Sequence, residues 1–259
     1  MSISPLFDFF KRGEVDRDVR LLAAQGGLAP RAHEQLSILM LLLDDGDTEI
    51  RQTAEATLSR IPNPVLSAFL ARSDVPDATR EFFAGRGVFP AETATAAEET
   101  EEPLIEAGAT DDALSAEEEE GEDRESLMQR LSKMTFPDRL KAASKGSREM
   151  RAILIRDPNK MIAAAVMSSP KLTDAEVEGI AKMASVSEDV LRIIGANRNW
   201  MKKYKIFAAL TRNPKTPVAL TLNILSRLNA KDMSTLAVDR NVPEAVRVAA
   251  RKKIVANRD

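Results

Sequence analysis

Apolar residues along most of the chain recur at intervals of three and four, the spacing of one face of an α-helix. In one stretch, Ile50, Ala54, Thr57 and Leu58 form such a stripe. Residues 36–43 are so densely apolar that we expect their helix to be buried on most sides. No stretch sustains the period-two alternation that indicates a β-strand. The pattern therefore predicts an all-α fold.

Prolines and capping residues divide these stripes into short helices. Asp47 and Thr173 are typical N-caps, because their side-chain oxygens accept hydrogen bonds from free backbone N–H groups. Thr173 and Glu176 have the spacing of a capping box. Pro158 suits the first position of a helix, where its missing N–H costs nothing. We therefore expect many short helices with closely spaced turns.

Helical periodicity is lost between residues 90 and 125, where the sequence is rich in Ala, Thr and Glu. Such a segment has little to bury and repels itself, which predicts a disordered acidic linker. The prediction is therefore two helical lobes, residues 1–89 and 126–259, joined by this linker. Within it, Pro103-Leu104-Ile105 is either a docking motif or a chance apolar cluster.

The second lobe contains an internal repeat of 44 residues, which aligns residues 162–201 with 206–245. Proline falls at the same inter-helix turn in both copies, as Pro170 and Pro214. The other matches are Ile162 with Ile206, Ala164 and Ala165 with Ala208 and Ala209, Val166 with Leu210, Ala175 with Ala219, Ile180 with Ile224, and Asn197 with Asn241. A helix-start phrase, Val then Pro or Ser then an acid, also recurs at 75–77, 186–188 and 242–244. These repetitions predict stacked helical units.

The repeat leads to a family resemblance. Its period lies within the roughly 40–47 residues of HEAT and armadillo arrays. Residues 47–58 resemble the second helix of a HEAT unit, in which an acid is followed by Val or Ile with Arg, then by Ala and Leu. Residues 156–253 are similar to leucine-rich-repeat-variant helical repeats, and 155–160 and 212–217 resemble stretches of uncharacterised bacterial proteins with two helical lobes and an acidic linker. The resemblance implies two α-solenoid-like, HEAT-like lobes, and it implies no activity.

Composition agrees with a helical protein and narrows its setting. Hydrophobic residues make up 44% of the chain but aromatic residues only 4%, which suits helices better than sheets. The chain has no cysteine, which excludes disulfides and cysteine-based zinc sites. The longest apolar run, residues 38–43, is far shorter than the ~20 residues needed to span a bilayer. We expect a cytoplasmic protein with no membrane span.

The net charge of −3 hides a strong separation of charge along the chain. Residues 1–89 carry 10 Lys and Arg and 13 Asp and Glu. Residues 90–125 carry one Arg and 15 acids. Residues 126–259 carry 26 bases and 12 acids. One hypothesis is that the linker intermittently covers the basic lobe at low salt and competes with an external polyanion. The alternative is that its acids only keep an open linker soluble.

Enzymatic motifs are missing from the sequence. The only histidine, His33, lies at the front of a helix and has no partner motif, so a Ser-His-Asp nucleophile system is not indicated. No HExxH motif, dinucleotide fingerprint or phosphate-binding loop is present. The acids of 117–125 lack the fixed geometry of a metal site. We expect no catalytic residue, no metal and no cofactor. We therefore expect that the protein is not an enzyme.

The candidate binding residues come from a stretch between Asp189 and Asp232 that has nine bases and no acid. If residues 198–212 form one helix, a basic stripe faces water and an aromatic side faces the core. The stripe consists of Arg198, Lys202, Lys205 and Arg212, and the opposite side of Trp200, Tyr204, Phe207, Ala208 and Thr211. If Asn199 is the N-cap, Arg198 lies outside the helix. The predicted binding residues are Arg198, Lys202, Lys203, Lys205, Arg212, Lys215 and Arg227.

Three functions are compatible with these features. Stacked helical repeats commonly present faces to other proteins, so the first is a non-enzymatic scaffold or adaptor for a protein partner, regulated by its acidic linker. The second is nucleic-acid binding through phosphate contacts from the basic lobe, with base stacking disfavoured because the aromatics are expected to be buried. A distant third is an enzyme on a HEAT-like scaffold, as in some DNA glycosylases, although no motif residue carries that activity over. The sequence predicts neither the partner nor the oligomeric state.

Overall fold

All of the secondary structure in the described residues is helical. The computed structural model describes residues 5–28, 31–91, 104 and 124–256, and these contain sixteen α-helices and no strand. The all-α prediction is therefore confirmed for this part of the chain. Most of the predicted linker, 92–103 and 105–123, lies outside the described residues, and the apolar cluster Pro103-Leu104-Ile105 is described only at Leu104.

The chain divides into two compact units. The first unit is Ile3–Arg151 with Ser168–Pro170, and the second is Met1–Ser2, Ala152–Met167 and Lys171–Asp259. The division falls at residues 151–152, inside the segment that composition assigned to a second lobe. Its physical basis is that helix α8 (Phe136–Lys145), which follows the acidic segment, packs against helix α2 (Arg17–Ala24) of the first unit.

The first unit is built around the densely apolar helix near its start. Its helices are α1 (Pro5–Lys11), α2, α3 (Ala32–Leu42), α4 (Thr48–Ser59), α5 (Asn63–Leu70), α6 (Asp77–Ala84), α7 (Arg124–Lys133) and α8, and α9 (Arg148–Leu154) continues in sequence into the second unit.

Helix α3 contacts α1, α2 and α4 and buries seven of its eleven residues, as its apolar density predicted. The stripe of Ile50, Ala54, Thr57 and Leu58 on α4 is buried, and Asp47 caps α4 by accepting from Glu49 N at 2.9 Å. Both predictions are confirmed.

The second unit repeats a pair of helices with constant spacing. Its helices are α10 (Lys160–Ser168), α11 (Asp174–Lys182), α12 (Glu188–Ala196), α13 (Tyr204–Arg212), α14 (Val218–Ile224), α15 (Ala230–Val238) and α16 (Glu244–Ala256), with 3-10 helices at Trp200–Lys202 and Leu225–Arg227. In the pairs α11–α12, α13–α14 and α15–α16, the second helix begins 14 residues after the first. We call the five-residue connections inside these pairs, residues 183–187, 213–217 and 239–243, the pair loops. The predicted capping box at Thr173 and Glu176 is present and opens α11.

The 44-residue repeat is confirmed by burial over its first two helices. Helix α10 and the start of α11 fall 44 residues before α13 and α14. The matched core positions are buried in both copies: Ile162 and Ile206, Ala165 and Ala209, Val166 and Leu210, and Ile180 and Ile224.

The match of Asn197 with Asn241 is wrong, because the repeat shifts by two residues after its second helix. Five residues follow α11, whereas α14 runs into a 3-10 helix that only two residues separate from α15. By its hydrogen bonding, Asn197 corresponds instead to Asn213 and Asp239. The Oδ1 atom of each accepts from the backbone N–H two residues later, at 2.9, 3.0 and 2.9 Å.

Neighbouring pair loops are joined through Asn213. The buried Asn213 side chain donates from Nδ2 to the carbonyl oxygens of Ala181 at 2.8 Å and Met183 at 3.0 Å. The last carbonyls of a helix have no partner within the helix, so Asn213 supplies what the end of α11 lacks. Lys215 Nζ donates to Val186 O of the same pair loop at 3.2 Å.

The helices of successive pairs pack in matching order. Helix α11 contacts α13, α13 contacts α15, and α14 contacts α16. Helix α12 meets α14 at Gly195, where a Cβ would overlap the Leu220 side chain. Leu225, Met233, Leu236, Val242 and Val246 form a core beneath the last pair. Among the described helices of both units, none is long and apolar enough to cross a bilayer.

Candidate binding surface

The basic stretch does not form the single helix that we expected. Helix α12 ends at Ala196, a 3-10 helix covers Trp200–Lys202, and α13 begins only at Tyr204. The break has a local cause: Asn197 Oδ1 accepts from the N–H groups of Asn199 at 2.9 Å and Trp200 at 3.2 Å and so turns the chain. The predicted four-residue stripe is therefore wrong, because only Lys205 and Arg212 lie on α13. Arg198 lies outside the helix, although Asn199 makes no side-chain capping bond.

The structure brings together five of the seven predicted binding residues. All seven are exposed. Arg198, Lys202, Lys203 and Lys205 lie within eight residues where the chain enters α13, and Arg227 joins them by donating to the carbonyl of Met201. We call these five residues the entry surface. Arg212 and Lys215 lie at or beyond the other end of α13, ~12 Å along the helix axis.

The prediction that Trp200 and Tyr204 face the core is also wrong. Tyr204 is 37% exposed and Trp200 is half-buried, whereas Phe207, Ala208 and Thr211 are buried as expected. The Tyr204 hydroxyl donates to the Asp232 carboxylate and accepts from Asn229 N at 3.2 Å. Partial burial and then the bond to Asp232 raise the pKa of Tyr204 above its usual value, so the phenol stays protonated. Accessible aromatic area therefore lies beside the cations of the entry surface.

Four of the seven predicted residues already have intramolecular partners. Lys203 pairs with Asp174, and Arg212 pairs with Asp232. Arg227 and Lys215 donate to backbone carbonyls, as cations near helix ends often do. The Arg227 guanidinium also lies 4.4 Å from the centre of the Phe207 ring. These four residues therefore hold the fold as well as carrying charge.

The other three, Arg198, Lys202 and Lys205, make no ion pair or side-chain hydrogen bond with any described residue. Lys205 acts only at longer range. The hydrogen bond from Lys182 is the main reason that the pKa of Glu178 is lowered, and the positive charge of Lys205 adds a smaller part. The unpaired positive charge of the entry surface is therefore concentrated in these three side chains.

The ion-paired acids of the second unit do not pair with these three cations. Each of six acids in the second unit forms an ion pair with a base other than Arg198, Lys202 or Lys205. The pairs are Asp174 with Lys203, Glu178 with Lys182, Glu188 with Arg192, Asp189 with Lys160, Asp232 with Arg212, and Glu244 with Arg247. The first turn of α13 contains no acid and no side-chain cap, so the positive end of its helix dipole adds to the local potential.

Sequence reasoning missed Asp232 and Asn213. Asp232 joins Tyr204 to Arg212 across α13 and α15, and its signal was its place as the first acid after the acid-free stretch. Asn213 joins two pair loops. The sequence pattern that could have predicted its role is an Asn or Asp at the first position of successive pair loops, as at Asn213 and Asp239.

His33 in the first unit has the geometry of an ordinary helix residue. Its Nδ1 lies 3.2 Å from Ser37 Oγ, but that hydroxyl donates to the His33 carbonyl oxygen at 2.8 Å. The serine proton is therefore directed to the backbone of its own helix, as is common for Ser within helices. The nearby Asp74 accepts two bonds from Arg72, at 3.0 and 2.8 Å, and these lower the pKa of Asp74. This arrangement does not activate Ser37.

Comparison with known proteins adds no relative. No protein-family model, no curated protein and no solved structure matches this chain.

Proposed function

We propose that this chain is a non-enzymatic cytoplasmic scaffold or adaptor with HEAT-like, α-solenoid-like helical repeats, and that its second unit binds a protein partner. The observation that carries the proposal is the ordered packing of successive pairs. First helices contact first helices, from α11 to α13 to α15, and α14 contacts α16. Arrays of this kind build an extended surface from elements that contact only their neighbours. Their usual role is to present that surface to another protein.

The small number of unpaired cations among the predicted binding residues favours a protein partner over a nucleic acid. Four of the seven predicted residues are engaged within the fold, which leaves Arg198, Lys202 and Lys205 for an external ligand. These three cations can make fewer phosphate contacts than the roughly 6–10 of a DNA-binding protein with strongly salt-dependent affinity. Protein interfaces instead combine a few charges with Trp, Tyr and Arg side chains, which Trp200, Tyr204 and Arg198 supply.

A second candidate is single-stranded nucleic acid. The observation that favours it is the partial exposure of Trp200 and Tyr204 beside the cations, because single-strand sites combine positive charge with aromatic rings that stack on bases. Duplex binding through phosphates alone is less well supported.

Affinity capture with the full chain tests the proposed function. Immobilised protein is exposed to cell extract with and without nuclease, and each retained protein is purified and titrated against the chain. We expect a partner that survives nuclease and binds the purified chain at a ratio of one to one. Retention that disappears with nuclease, together with a steep loss of affinity for an oligonucleotide as salt rises, would favour the second candidate.

We further propose that the acidic linker regulates binding by competing with acidic ligands for the basic unit. Residues 92–123 carry fourteen acids and no base, and a tethered competitor acts at an effective concentration of order millimolar. Replacing these acids with Gln and Asn, at unchanged length, should raise affinity for an acidic ligand. The gain should be about threefold or more near 20 mM salt and should shrink near 150 mM, because screening shortens the reach of charge.

Isothermal titration of both proteins with heparin, across a salt series, measures this effect. The control replaces the five Ser and Thr residues of the same segment with Ala. This leaves the charge of the segment unchanged, so the control should bind like the unmodified chain. Equal affinities at every salt concentration would show that the linker acids serve only solubility.

A further inference from the structure

We infer that the entry surface is the docking site for an acidic segment of a partner protein, which Arg198, Lys202 and Lys205 hold around Trp200. This inference rests on the proposed function and adds the site and the chemistry of the ligand. The partner segment would carry several Asp or Glu residues and at least one apolar side chain. Its carboxylates would meet the three unpaired cations, and its apolar side chain would cover the exposed part of the indole.

The three unpaired cations are open to a carboxylate from outside the protein. Between Asp189 and Asp232 there is no acid, and the acids Asp174, Glu178 and Asp232 form ion pairs with other bases. A ligand carboxylate can therefore approach Arg198, Lys202 and Lys205 without displacing a carboxylate of the protein. Charge-assisted hydrogen bonds of this kind are stronger than neutral ones, and unopposed positive charge also speeds the encounter.

Two partly exposed aromatic side chains lie among these cations and can contact an apolar side chain of the ligand. Trp200 lies between Arg198 and Lys202 in sequence, and its half-buried side chain leaves ring area open. Tyr204 lies between Lys203 and Lys205 and is also partly open. Because truncation of Trp, Tyr or Arg at interfaces commonly costs the most binding energy, this mixture suits a peptide with both acidic and apolar side chains.

The turn that exposes Arg198 and Lys202 is held in place by hydrogen bonds from Arg227, Lys203 and Asn197. Arg227 bonds the carbonyl of Met201 within the 3-10 helix, and Lys203 bonds Asp174 on α11. Asn197 holds the turn from its other end. Met201 is buried beneath it. A site that is ordered before binding loses less conformational entropy when the ligand arrives.

Trp200 makes the site directly observable, because it is the only tryptophan in the chain. The full-length protein is titrated with a labelled peptide of about ten glutamates with a central leucine, near 20 mM salt to limit screening. Indole fluorescence and probe anisotropy are followed together. We expect both signals to saturate together, with Kd weakened at least about tenfold in R198A/K202A/K205A, since exposed ion pairs contribute modestly and three are removed.

A charge-matched control separates a site from net charge. R240A/K252A/K253A also removes one Arg and two Lys from the second unit. These residues lie after α15 and on α16 and form no ion pair with the described residues. The comparison of the two triple variants is repeated near 150 mM salt, where the Debye length is ~8 Å. There the control should bind the glutamate peptide within about twofold of the unmodified chain, because distant charge is screened. Circular dichroism of all three proteins should agree, since every replaced side chain is at least partly exposed.

Four results would overturn the inference. Equal weakening in both triple variants would show that only net charge matters. Tighter binding of an oligodeoxythymidine with the same charge as the peptide would assign the surface to nucleic acid. Unchanged Trp200 fluorescence with a saturating anisotropy signal would place the peptide elsewhere. If a partner found by capture binds R198A/K202A/K205A normally, the proposed function stands and this site is wrong.

Discussion

Replacing Asn213 with alanine is expected to lower the free energy of unfolding of the second unit by about 3 kcal/mol, because a buried polar group left without a partner costs about 1–3 kcal/mol. The side chain is 4% exposed. It donates to Ala181 O and Met183 O and accepts from Lys215 N. Alanine would leave these three backbone groups without their partner.

Asn213→Asp should be more damaging than the alanine variant. A carboxylate has no N–H to donate, so it would turn an acceptor toward two carbonyl oxygens and add a buried charge, which proteins tolerate poorly. The loss should grow as the pH rises through the carboxylate pKa. Urea denaturation followed by Trp200 fluorescence reports on the second unit.

Asn241→Ala is the matched control for Asn213. Asn241 lies in the next pair loop, but it is exposed, and changes at exposed positions usually stay within about 0.5 kcal/mol. A loss in Asn213→Ala no larger than in Asn241→Ala would show that the bonds between pair loops contribute nothing to stability.

Replacing Gly146 with alanine is expected to destabilise the first unit by about 1–3 kcal/mol, the range found when a well-packed site is overfilled. Gly146 ends α8, and its N–H donates to Ala142 O at 2.9 Å. A Cβ there would overlap that carbonyl oxygen and lie 2.8 Å from Met150 Sδ. The methionine can move, but the carbonyl belongs to a buried turn of α8 and cannot move without distorting the helix.

Gly46→Ala provides the comparison in the same unit. No atom lies within 4 Å of a Cβ at Gly46, and alanine lowers the entropy of the unfolded chain, so stability should be unchanged or rise by up to about 1 kcal/mol. Thermal unfolding followed by circular dichroism compares the variants. Equal melting temperatures for the two alanine variants would refute the steric argument.

The features that sequence predicted well depend on residues close together in the chain. The α4 stripe, the Asp47 cap and the Thr173–Glu176 capping box each span a few residues, so periodicity and spacing sufficed. The repeat was found because α10 and α13 bury equivalent side chains.

The misses at the candidate surface depend on contacts that local patterns do not encode. A helical wheel assumes a continuous helix. The helix is interrupted here because the Asn197 side chain accepts hydrogen bonds from the backbone N–H groups of Asn199 and Trp200. The same wheel predicts that Tyr204 faces the core, because it falls on the side opposite the basic stripe. Its orientation instead depends on Asp232, a partner 28 residues away. Which cations are unpaired likewise follows from three-dimensional pairing, as with Lys203 and Asp174.

The bonds from Asn213 to the end of α11 also have a consequence for folding cooperativity. The carbonyls of Ala181 and Met183 gain these protein partners only when α13 is in place. Opening of α13 therefore exposes the last turn of α11 in the same step, and the two helices belong to one unit of local unfolding. Amide hydrogens in both should then exchange with a common free energy, so that a disturbance at one repeat is transmitted to its neighbour as a change in stability.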